Sequence, residues 1–107
     1  MRGGGIFGAL VCAAFAAGAG PCRAAGEIAL GEYLSATCVT CHQKSGQITG
    51  GIPAIVGWHA DQFIAVMNAY KNKERDNEVM RALASGLSAD DIAALAAYFE
   101  SLKPLKP

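Results

Sequence analysis

The stretch "CVTCHQKSGQ", which begins at Cys38, restricts this chain more than any other part of it. Two cysteines stand two residues apart, and His42 follows the second at once. Three chemistries use such a spacing: a thiol–disulfide pair, half of a zinc site, or the covalent anchor of a haem with the histidine as iron ligand. A thioredoxin-like pair needs a βαβ context, and the chain has no alternating β-type runs. A structural zinc site needs four ligands, usually from two such clusters. Beyond the motif only His59 is left, and the adjacent Cys41 and His42 are badly placed to point at one metal. C-x-x-C-H is the c-type haem attachment sequence, and this reading fits best. Its two thiols add to the two haem vinyl groups, and the next residue lies under the iron.

The ends of the chain bear on how much protein is left to fold. Residues 1–25, "MRGGGIFGALVCAAFAAGAGPCRAA", have Arg2, an apolar block from Ile6 to Ala19, and a tail of small residues. That is the plan of a secretory signal cleaved after Ala24 or Ala25. The block is shorter than the ~20 residues that span a bilayer, so no transmembrane segment remains after cleavage. Val11 and Pro21 precede Cys12 and Cys22, where a lipoprotein signal has a small residue. Residues 26–107 then form one domain, with seven basic and nine acidic side chains, a net charge of −2. Neither that balance nor the full chain's net charge of zero suits a nucleic-acid binder. A domain of this size buries little apolar surface by itself and needs a cofactor, metal, disulfide or partner. A haem supplies a large apolar body to pack around.

The pattern is helical throughout. Ile28, Gly31, Leu34 and Cys38 fall at helical spacing and predict a first helix running into the cysteine motif. Gly31 costs about 1 kcal/mol there against Ala. Either another helix crosses it closely, or it is a tolerated surface glycine. "QKSGQITGGIP" reads as a loop. Phe63, Ile64, Met67 and Tyr70 predict a second helix, with Met67 in its core stripe. "KERDNEV" is charged and exposed, and Met80 follows it in the least regular part of the chain. Ser88 and Asp91 predict a capped start to a third helix. Its buried stripe is Ile92, Leu95, Ala96, Phe99 and Leu102, with Lys103 in the last turn and Pro104 as the stop. The expected fold is all-α: three main helices and long loops.

Four pieces, "GEYLSATCVTCH", "IPAIVGWHADQF", "RDNEVMRALASGLS" and "DDIAALAAYFESL", make the chain resemble the class I c-type cytochromes. It is most similar to the haem subunit of flavocytochrome c sulfide dehydrogenases and to short di-haem-type domains. Trp58 stands where that family usually has Gln, and there is neither a second C-x-x-C-H nor a flavin-binding sequence. The resemblance implies one covalently attached haem c held by Cys38 and Cys41, with His42 as proximal ligand. It implies Met80 as sixth ligand and the Pro53 carbonyl as acceptor for the His42 ring; His59, beside a helix start, is the rival sixth ligand on the residues themselves. The resemblance sets Ile55 and Trp58 beside the haem, with the Trp58 indole as donor to a propionate or as a partner-facing aromatic. It brings the first and last helices together, Gly31 against Leu95 and Tyr98. The implied function is one-electron transfer in the periplasm, with redox protein partners that include a flavoprotein subunit. A haem sensor or haem enzyme with an open or weakly held sixth position is the alternative.

Overall fold

The structure is a computed structural model, and it describes residues 21–104. Most of the expected leader, residues 1–20, lies outside the described residues. The last five leader positions form the start of the first helix, α1, Pro21–Leu34. A 3₁₀ turn, Ser35–Thr37, carries α1 into the cysteine motif. Three more helices follow: α2, Ala60–Lys71, α3, Glu78–Ser85, and α4, Ala89–Ser101. Among the described residues there is no strand beyond an isolated bridge between Thr49 and Ile52. The all-α expectation holds. The short α3 stands where the sequence suggested irregular loop.

Helix α4 is the centre of the molecule. The Asp91 N–H donates to Ser88 Oγ at 3.1 Å, and the Ser88 N–H donates back to Asp91 Oδ2 at 3.0 Å. This capping box satisfies two amides that an uncapped helix start leaves open. Ile92, Leu95, Ala96 and Phe99 are all buried, as their spacing predicts. Ala94 and Tyr98 are buried too, because α4 is covered on two sides: α1 packs on one and α2 on the other. Phe99 stacks on Phe63 of α2 at 5.6 Å between centroids and meets Tyr98 edge-on at 5.3 Å. The helix ends at Ser101, so Lys103 lies beyond its last turn; Leu102 has already turned to extended backbone.

The α1–α4 crossing explains Gly31. A Cβ built there would lie 2.6 Å from Tyr98 Cβ and closer still to the Ala94 carbonyl oxygen. The two helices touch backbone to backbone at that point, which only glycine permits. The neighbours are Ala94 and Tyr98 rather than Leu95 and Tyr98.

Candidate haem site

The motif occupies one tight turn at the end of the 3₁₀ segment. The Cys41 and His42 amides both donate to the Cys38 carbonyl, at 3.2 and 2.9 Å. One turn of chain therefore presents two thiols and an imidazole. Both cysteines are free; Cys38 is half-buried and Cys41 exposed. Burial pushes the Cys38 thiol above its ordinary range, against a smaller opposing pull from the Thr37 hydroxyl.

His42 Nδ1 lies 2.7 Å from the Pro53 carbonyl oxygen. A carbonyl can only accept, so Nδ1 carries a proton, and in the neutral ring this leaves Nε2 with its lone pair. This is the arrangement that orients a metal-ligating histidine and fixes its tautomer. The intervening segment closes through Gln43, whose Nε2 donates to Thr49 Oγ1 at 2.7 Å. Beyond Pro53, Ile55 and Val56 are buried and Trp58 is half-buried against the core. The Gly57 amide donates to the Phe99 carbonyl at 2.8 Å, and the Ala60 amide to Glu100 Oε2 at 2.9 Å. Helix α4 thus fixes both ends of the path: α1 through Gly31, and the Ile55–Ala60 segment through its own C-terminal turn.

The two methionines behave differently. Met67 is 6% exposed inside the core of α2. Met80 is half-buried on the first turn of α3, at the edge of that core. Its amide donates to the side chain of Asn77, the N-cap, at 3.0 Å. His59 is a surface residue, its side chain 89% exposed and 3.7 Å from Glu100. The structure therefore brings Cys38, Cys41 and His42 into one turn with Pro53 behind the ring, and it sets His59 out in solvent.

Asn77 and Arg81 organise the α3 end, and the sequence reading missed both. The signal was present: Asn77 is a good N-cap, and Val79, Met80, Leu83 and Ala84 follow at helical spacing. Reading "KERDNEV" as one exposed block hid it.

Among the described residues no three His, Cys, Asp or Glu side chains converge on a common metal position. A porphyrin needs no such cage, because it brings four nitrogen ligands and asks the protein only for axial ones. Two free thiols and an oriented imidazole on one turn fit that demand.

The chain belongs to the cytochrome c family. The family model described as cytochrome c matches residues 28–103. Cytochrome c-554(548) of Halomonas halodenitrificans is 38% identical over 81 residues, 72% of this chain and 98% of that protein. The cytochrome subunit of sulfide dehydrogenase from Chlorobaculum tepidum is 33% identical over 72 residues, 67% of this chain and 66% of that subunit. The crystal structure of cytochrome c4 from Pseudomonas stutzeri superposes with a TM-score of 0.68 at 26% identity, covering 74% of this chain but 50% of that one. This chain is thus a class I c-type cytochrome, an electron carrier with covalently attached haem c. Its cysteines stand in the C-x-x-C-H arrangement that the attachment requires. No described helix is long and apolar enough to cross a membrane.

Proposed function

We propose that this cytochrome is an exported, periplasmic mono-haem carrier with His/Met axial ligation, serving a sulfur-oxidising dehydrogenase. The observation that carries the site assignment is the 2.7 Å contact between His42 Nδ1 and the Pro53 carbonyl, one residue after the second thiol. When bound, the haem supplies an iron that gains and loses one electron. Cys38 and Cys41 hold it through thioethers. His42 offers Nε2 to the iron, and the Pro53 carbonyl keeps the ring in that tautomer. Met80 would supply a thioether as the second protein ligand, a ligation that favours the ferrous state and raises the potential. Ile55 and Trp58 line the haem and exclude water, and the Trp58 indole N–H is available to a propionate.

Export rests on the charged, apolar and small-residue zones of residues 1–25. The partner reading draws on two relatives: the sulfide dehydrogenase cytochrome subunit, and a thiosulfate dehydrogenase electron acceptor of Thiomonas intermedia, 32% identical over 72 residues. The electron donor we infer is a flavoprotein subunit. If it docks transiently, the interface is below about 1,200 Å². The tagged cytochrome purified from its native periplasm should bring a flavin-containing chain with it. Recovery as a monomer, reduced rapidly by a soluble donor, would leave a free carrier instead.

The ligand assignment has its own test. Met80→Ala should abolish the near-infrared sulfur-to-iron band of the ferric protein, lower the potential, and let the ferrous form bind carbon monoxide. Met67→Leu should do none of these. A wild type that already binds carbon monoxide readily would favour the sensor or enzyme alternative.

A further inference from the structure

The connection between α2 and α3, Asn72 to Asn77, is exposed at all six positions. It has no apolar side chain with which to anchor itself. Its shape comes from polar contacts alone. The Lys73 amide donates to the Tyr70 carbonyl at 3.1 Å and the Glu74 amide to the Ala69 carbonyl at 2.8 Å, with Lys73 left-handed at φ 62°. This is a Schellman stop to α2 with lysine in the place usually taken by glycine. Arg75 leans over the Tyr70 ring, 5.2 Å from its centroid.

One side chain ties this turn to the next helix. Arg81 Nε donates to the Arg75 carbonyl at 2.7 Å and Nη2 donates to the Lys73 carbonyl at 3.1 Å. Nη1 lies 3.6 Å from Asp76, but that carboxylate is 93% exposed, so the ion pair contributes little. The two carbonyl bonds matter more, because they use separate nitrogens of a planar fork that no other side chain offers. The Arg81 amide donates to the Asn77 carbonyl at 2.9 Å, so fork and backbone together clamp the turn and the start of α3 into one unit. Met80 is the preceding residue on that unit.

We propose that Arg81 is a positioning residue for Met80: it holds the turn that sets where the thioether stands and so keeps the iron–sulfur bond closed. This rests on Met80 being the sixth ligand. With Met80 on the iron, an incoming ligand would have to displace it, and that displacement would be easier where the Asn72–Asn77 turn gives.

The test is imidazole binding to the ferric holoprotein, followed by the near-infrared sulfur band. With both carbonyl bonds lost, Arg81→Ala should bind imidazole about tenfold more tightly. It should retain the sulfur band when imidazole is absent. Arg81→Lys keeps the charge but can reach one carbonyl, and it should fall between the two. The exposed Lys103→Ala should behave as wild type and so controls for net charge. Wild-type imidazole affinity in Arg81→Ala would overturn the proposal. So would an Arg81→Lys protein indistinguishable from wild type, which would leave charge rather than the fork as the cause and also decides the matter if Arg81→Ala does not fold. Met80→Ala run alongside separates the two claims: if it keeps the sulfur band, the ligand assignment fails, whatever Arg81 does.

Discussion

The segment from Ile28 to His42 and the segment from Asn72 to Ser85 each bring one candidate ligand to the haem site, His42 and Met80, by opposite means. The first is set mainly by helix packing: Gly31 lets α1 lie directly on the α4 backbone and Ser35 is 4% exposed, although Tyr33 is 78% exposed and the His42–Pro53 bond is itself at the surface. The second is set by polar contacts at the surface. It has one fully buried side chain, Ala84, while Val79 is 63% exposed and Leu83 40%. Burial fixes a position at the cost of any movement, because a close-packed interior has few alternative arrangements. Hydrogen bonds to exposed carbonyls compete with water and give way more readily. If Met80 is the sixth ligand, rigidity would sit on the covalent side of the site and compliance on the Met80 side.

The comparison breaks most directly at Gly31. Gly31→Val drives two methyl groups towards the Ala94 carbonyl and Tyr98 Cβ, neither of which can rotate away. We expect a loss near the upper end of the ~1–3 kcal/mol typical of overpacking. In a domain of this size that is a fall in melting temperature of about 10–20 °C. The haem should stay attached, since the cysteines are untouched. An unchanged melting temperature would mean that the α1–α4 crossing is not what holds the covalent side.

The same contrast decides what could be read from the amino-acid sequence. Helix α4 was legible except at its C-terminal end, where Leu102 and Lys103 fall beyond it, because its cap and its stripe both follow local rules: Ser88 with Asp91, then Ile92, Leu95, Ala96 and Phe99. The position of the haem motif at the end of α1 was legible for a similar reason. The sequence left Gly31 undecided between crossing and surface, because a glycine shows only that no side chain is present, not what passes by. In the α3 region the helix itself was signalled by Asn77 and the spacing of Val79, Met80, Leu83 and Ala84, but the order of the turn before it was not. Its order comes from Arg81 reaching back six and eight residues to backbone carbonyls, and a carbonyl has no sequence signature. The same holds for Glu100, forty residues from the Ala60 amide that it caps. His59, at the N-cap position itself, makes no side-chain cap bond. Interactions between a side chain and distant backbone shape both ends of the site, and periodicity cannot report them.

The smallest expected effect sharpens the comparison on the compliant side. Lys73 sits at φ 62°, where an L side chain crowds its own carbonyl. That conformation costs a non-glycine residue about 1–2 kcal/mol, and part of any relief is lost to the greater freedom of glycine in the unfolded chain. Lys73→Gly should therefore raise stability by about 0.5 kcal/mol, or 2–4 °C in melting temperature. The Lys73 carbonyl, which accepts from Arg81, is unaltered by the change. Imidazole affinity of the ferric protein should accordingly stay at the wild-type level while the melting temperature rises. A tighter imidazole complex in Lys73→Gly would show that the lysine side chain itself restrains Met80, and the Arg81 clamp would then account for only part of how this side of the site is held.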